Sequence, residues 1–389
     1  MRNFEYRMPT KIIFGKGTED GVGKEVAASS GRILLHHAGG HAVRSGLIDR
    51  VKASLKSAGV EWVELDGVKP NPRLSLVYKG IDIVRKEKLD FLLAVGGGSV
   101  IDSTKAIAMG AFDSGDVWDF FEAKRVPSGA LPLGTILTIP ATGSESSDST
   151  VITNEEKSLK RGVNSDHSRP RFSILNPELS YSLSPFQSAC GIVDMMSHIL
   201  ERYFTREEHV ELTDELCEGA LRTIIRNGRR ILAGDGRDYD ARAETMWAGA
   251  LAHNGLLGTG RLADWASHRI GHEMSAMYDI AHGASLSIIF PAWMTYVIDE
   301  DVKRFARFAA KVWGVDGAFY DYRQAAAEGI LRMKEYFRSL GMPVSFADAG
   351  LDLSGIGEMA RKAVLLGPQG KYRSLGEQDI AAIYRIASA

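Results

Sequence analysis

At about residue 185 the hydrophobic pattern of this chain changes period, and that change limits the fold more than any single motif. Before it, short β-rich runs alternate with helical stretches. KIIFG (11–15), 33–37, 62–65, 91–95 and 135–139 read as strands, and 47–58 and 74–89 carry apolar residues at helical spacing. Such alternation is the signature of a parallel sheet covered by helices. After it, 211–232, 241–257, 264–277, 302–313, 323–340 and 379–387 all repeat apolar residues every three or four positions. The expectation is two domains: an α/β N-terminal domain over 1–184 and an all-α C-terminal domain over 185–389. SYSLSPFQ supplies the turn and the helix cap between them. A length of 389 residues is more than one core normally serves.

A formal net charge of −2 at pH 7 gives no broad basic field, so partners such as nucleic acid or an anionic membrane are disfavoured. The N-terminus MRNFEYRMPTKIIFG lacks the apolar stretch of a signal peptide, and no run approaches the roughly 20 apolar residues that cross a bilayer. Cys190 and Cys217 form no CxxC pair, which fits a reducing cytoplasm.

FLLAVGGGSVIDSTKAIA sets an apolar strand, three glycines and a serine directly before a helix. Gly96, Gly97, Gly98 and Ser99 can cradle a pyrophosphate, because glycines admit close approach and the helix N-terminus favours an anion. A tight turn capped by Ser99 would read the same way. Asp102, in the first turn, favours the helix and can also touch a cofactor. GxGxxG is absent, and Gly15-Lys16-Gly17 reads as a turn. A second hydroxyl-rich loop, TIPATGSESSDST, offers Thr138, Thr142 and Ser147 to a ribose, phosphate or amide. Two such loops at strand ends of one sheet strengthen each other.

In GIVDMMSHILERYF, Asp194 and His198 stand four residues apart and so share a helix face. DWASHRIGHEMSAMYDIAHG adds His268, His272 and His282. One carboxylate with three imidazoles suits Fe(II) or Zn(II), although a lone Asp/His pair at this spacing is commonly a local contact. HExxH is not present, which removes a zinc-protease reading.

These segments, with GGGSVID and LTIPATGSES, resemble the iron-containing (group III) alcohol dehydrogenases, in particular their butanol dehydrogenase and broad-range aldehyde reductase branch. The resemblance runs nearly end to end. It implies a dehydroquinate synthase-like architecture and a hydride transfer between NAD(P)H and a small aldehyde or primary alcohol. It also implies a divalent metal (Fe2+, with Zn2+ acceptable) and a homodimer. Carried over by motif, Asp194, His198, His268 and His282 are the metal ligands, and His272 lines the site as a proton relay. Where NAD-specific relatives carry an aspartate this chain has Gly39, and no acid follows before Asp49. Gly39 and Gly40 leave room, His41 and Arg44 add donors, and Lys160 is a further phosphate candidate, so NADP(H) is expected over NAD(H). The alternative is a dehydroquinate synthase-like lyase, or another member of the fold acting on a polyol or phosphorylated substrate, which would need several cations at the metal.

Overall fold

The computed structural model describes residues 1–317 and 321–388, the side chain of His41 excepted. Two compact units result, one over Arg7–Ser182 and one over Leu183–Ala389 together with Met1–Tyr6. The first six residues thus leave the α/β unit, which the sequence pattern did not foretell. The terminal ammonium of Met1 donates to the Glu208 carbonyl, Arg2 N–H donates to Gly260 O, and Arg2 pairs with Glu207.

In the α/β unit a six-stranded, all-parallel sheet is built from β1 (Lys11–Phe14), β2 (Arg32–His37), β3 (Glu61–Leu65), β4 (Leu92–Gly97), β5 (Leu133–Ile139) and β8 (Phe172–Leu175). Their spatial order is β1-β8-β5-β4-β2-β3. The hairpin β6 (Ser149–Asn154) and β7 (Leu159–Asn164) stands apart from the sheet. Strand β8, FSIL, was not expected; its four buried residues stand between Pro170 and Pro177 with no α-helical run directly after them. Helices α1 (Val22–Ala27), α2 (Gly40–Arg44), α3 (Leu47–Ser57), α4 (Leu74–Glu87), α5 (Gly98–Phe112) and α6 (Trp118–Phe121) complete the unit.

The strand order places the chain's reversal between β2 and β4, because β2 leads outward to β3 while β4 returns to its other side. In open parallel sheets, ligands settle beyond the carboxyl ends of the strands at such a point. The turns that leave those two ends are Gly39-Gly40 and Gly96 to Ser99.

The second unit is helical. It comprises α7 (Pro185–Tyr203), α8 (Glu211–Ala233), α9 (Tyr239–His253), α10 (Ala266–Tyr278), α11 (His282–Val297), α12 (Val302–Trp313), α13 (Tyr322–Ser339), α14 (Ile356–Ala363) and α15 (Glu377–Ala387). Helix α7 begins as the sequence signals: Ser184 caps it, Pro185 occupies its first position, and Gln187 closes a capping box. Helix α11 keeps Pro291 inside it, with Thr295 Oγ donating to the Pro291 carbonyl at 2.9 Å. One core, including Met196, Ile199, Phe204, Ile270, Met274, Phe290 and Trp293, holds these helices together. No helix among the described residues is long and apolar enough to cross a membrane.

Candidate metal centre and cofactor cradle

Helix α7 puts Asp194, His198 and Glu201 at positions i, i+4 and i+7, one face that turns into the unit, and all three are buried. Helix α10 contributes His268 and His272, and His282 is the first residue of α11. One oxygen, Asp194 Oδ1, collects the set: His268 Nε2 is at 3.8 Å, His282 Nε2 at 3.6 Å and His198 Nδ1 at 3.8 Å. These separations are too long for hydrogen bonds. Two atoms each about 2.1 Å from a tetrahedral metal stand about 3.4 Å apart, so the spacing suits atoms that share a cation.

Asp194, His268 and His282 offer atoms all within 4.8 Å of one another, whereas His198 lies outside that mutual group. Its ring is instead stacked against His253 at 4.3 Å and His268 at 4.7 Å. Burial, then the neighbouring imidazoles and Arg202, hold His198 far below the ordinary histidine range, so its nitrogen keeps a lone pair. Asp194 Oδ1, His198 Nδ1 and His268 Nε2 are buried without a hydrogen-bond partner. Three orphaned atoms aimed at one another are costly unless something binds them, and a divalent cation fits that donor set. His272 stands outside the group, half-buried, its ring 5.2 Å from that of His282.

Sequence reasoning missed Glu201. Its Oε1 accepts from His268 Nδ1 at 2.7 Å and from His268 N–H at 3.0 Å, while Oε2 accepts from Trp265 N–H at 2.6 Å. One carboxylate therefore caps α10 and fixes the His268 tautomer that leaves Nε2 facing Asp194. The signal was the i+7 spacing from Asp194, which an ordinary helical glutamate shares.

In the α/β unit the two loops proposed for the cofactor are neighbours. A Cβ on Gly98 would meet Thr142 Oγ1 at 2.4 Å, and one on Gly97 would meet Ile139 at 2.8 Å. The turn from β4 into α5 is thus a cradle that no side chain can enter, next to the Thr138–Thr142 loop. Ser99, Thr138 and Thr142 are half-buried there.

Other candidates face inward. Asp102 accepts from Ser144 Oγ at 2.6 Å and Val151 N–H at 3.0 Å; burial, against the pull of Lys105, lifts its pKa to about 6. Ser147 gives its carbonyl to buried Lys105 Nζ at 2.8 Å, and burial lowers that ammonium to about 8. Lys160, a phosphate candidate from the sequence, is buried and donates to Asn71 Oδ1 at 2.9 Å. These contacts hold the loops to α5 and to the chain after β3. Gly39 and Gly40 adopt φ of 72° and 51°, and Arg44 is exposed at the end of α2. The side chain of His41 lies outside the described residues.

A parallel-sheet unit with a phosphate-type turn, and a helical unit with a buried Asp/His cluster, fit the layout of the metal-dependent alcohol dehydrogenases. Residues 9–177 match the family model for iron-containing alcohol dehydrogenase, and residues 188–388 match that for the C-terminal part of the same family. The chain belongs to the iron-containing alcohol dehydrogenase family. It is 43% identical to the probable NADH-dependent butanol dehydrogenase 2 of Bacillus subtilis, over 99% of each chain. With the NADPH-dependent aldehyde reductase YqhD of Escherichia coli it shares 37% identity over 93% of each. Its fold matches the crystal structure of NADH-dependent butanol dehydrogenase A from Thermotoga maritima with a TM-score of 0.97 and 40% identity, covering 100% of this chain and 99% of that one.

Proposed function

We propose that this chain interconverts small aldehydes and primary alcohols, using a nicotinamide dinucleotide and a divalent metal, Fe2+ or Zn2+, held by Asp194, His198, His268 and His282. The observation that carries it is the set of orphaned atoms around Asp194 Oδ1. When bound, the metal supplies a Lewis acid for the substrate oxygen and the reduced dinucleotide supplies the hydride. Glu201 orients His268 for that role. His272, beside His282 and outside the tight group, exchanges the proton that the substrate oxygen gains or loses. Gly96 to Ser99 take the pyrophosphate at the N-terminus of α5.

The lyase alternative needs cations around the metal to hold a phosphorylated carboxylate. Two nearby arginines are committed elsewhere. Arg261 pairs with Asp214 at 2.8 Å, and Arg202 donates to the His198 carbonyl at 2.6 Å while lying over the Trp265 ring.

The expectation of an NADPH preference rests on an acid-free segment from Gly39 to Arg44. Relatives named for NADH and for NADPH both match this chain, so the reading stands at NAD(P)H. A cytoplasmic homodimer belongs to the same reading; two unpaired cysteines support the reducing compartment, and light scattering tests the dimer. The test of the whole is loss of reduced-nicotinamide absorbance with butanal, before and after chelation. Turnover that requires a divalent metal is expected, and full turnover by metal-free protein would refute the reading.

A further inference from the structure

The turn that follows β2 is held in place by its own histidine. Gly39 N–H donates to His37 Nδ1 at 2.9 Å, so Nε2 carries the proton, which it gives to Glu64 of β3 at 2.7 Å. His36 makes the companion link, bridging Leu65 O at 2.8 Å and Ser103 Oγ of α5 at 2.9 Å. The register pairs His36 with Leu65, so the residues that leave β2 and β3 emerge side by side. On one strand that exit is Gly39; on the other it is Asp66.

An ideal Cβ on Gly39 would find Asp66 Oδ2 at 3.9 Å and, among the described residues other than its chain neighbours, no other atom within 4 Å. A carboxylate from the segment after β3 thus stands beside the β2 turn, which has no acid of its own. Asp66 is exposed, and neither a hydrogen bond nor an ion pair joins it to a described residue. On the other flank, Arg44 Nη1 lies 4.0 Å from the Cβ position of Gly40. A guanidinium can donate to a hydroxyl or to a phosphate, whereas a carboxylate accepts from a hydroxyl and repels a phosphate. The sharper discrimination falls to Asp66.

We propose that the Asp66 carboxylate reads the adenosine ribose of the dinucleotide, accepting its 2′-hydroxyl and excluding a 2′-phosphate, so that this protein binds NADH in preference to NADPH. The inference rests on the nicotinamide reading above, and it reverses the preference expected from the acid-free segment. Gly39 also has a positive φ of 72°, so the usual aspartate would be strained at that position and would face Asp66 as a like charge.

The test is equilibrium binding of NADH and of NADPH to the metal-loaded full chain, read by the fluorescence of the reduced nicotinamide. Wild type is expected to bind NADH at least about tenfold more tightly, and Asp66→Asn to close that gap by about tenfold, mainly by tighter NADPH binding. Asp66→Ser should do the same, and an unchanged far-ultraviolet spectrum shows that each variant is folded. Binding of both cofactors with NADPH equal or tighter in wild type, or with a ratio unmoved by either variant, would overturn the inference and leave the functional reading intact. Binding of neither cofactor would overturn both.

Discussion

Glu201 is where the proposed metal centre rests on a residue outside its ligand set. Its carboxylate takes three N–H donors, two from the backbone that starts α10 and one from His268. Glu201→Gln keeps the shape but must present an amide where an acceptor is needed, and it weakens the polarisation of the imidazole. Metal affinity should fall about 10- to 100-fold, measured as metal retained against graded chelator, while Asp194→Ala should lose the metal outright. Glu201→Gln with wild-type retention would show that the hydrogen bond is only architectural. For His272→Ala the expectation differs: metal stays, kcat drops and its pH profile changes, since the ring stands outside the ligand group. A variant that lost its metal would make His272 a ligand. At this scale the sequence was informative where partners share a helix, as Asp194 and His198 do. Across helices the histidine cluster and the family resemblance joined His268 and His282 to that pair, but the sequence was silent for Asp66 near Gly39 and for Lys160 with Asn71, which adjoin only because segments adjacent in space are distant in sequence.

At the scale of elements, helix α5 carries both the cradle and the groups that hold the second loop. The alternation of strand and helix was readable where a strand run led into a helical one, as β1 does, whereas β8, equally short, stands between Pro170 and Pro177 with no α-helical run directly after it. What no pattern could reveal is that polar residues of α5 face the protein interior. Asp102 and Lys105 are buried against the Ser144–Ser149 loop, and Glu145 on that loop has Oε2 buried without a partner. Burial lifts the Glu145 pKa to about 7 from an ordinary 4.5. The folded protein therefore binds a proton more readily than the unfolded chain across that window. Its stability falls as pH rises from about 4.5 to 7, and Asp102, lifted to about 6, acts in the same direction. Glu145→Gln should remove on the order of 2–3 kcal/mol of that loss between pH 5 and 8. Urea unfolding at both pH values decides it; a wild type no more pH-sensitive than the variant would show that Glu145 stays charged in the fold.

For the whole molecule the division of labour is thermodynamic as well as spatial. Asp194, His198, Glu201, His268 and His282 all belong to the Leu183–Ala389 unit, and every residue of the proposed dinucleotide cradle belongs to Arg7–Ser182. A ligand that binds only the folded state stabilises it by RT ln(1 + [L]/Kd), about 2.7 kcal/mol at a hundredfold excess over Kd. A metal held at the proposed site would tie α7, α10 and α11 through side chains that otherwise leave buried atoms without hydrogen bonds, so its removal would cost that linkage and expose the penalty of the orphans. Hydrogen exchange should register this locally. Chelation is expected to speed exchange of amides in α7 and in the first turns of α10 and α11, while amides of β2, β4 and α5 keep their protection. Adding reduced dinucleotide to the chelated protein should slow exchange in the turns after β2 and β4 without restoring α7. Equal loss of protection in both units on chelation would mean that they unfold as one, and no change in α7 would remove the metal from Asp194.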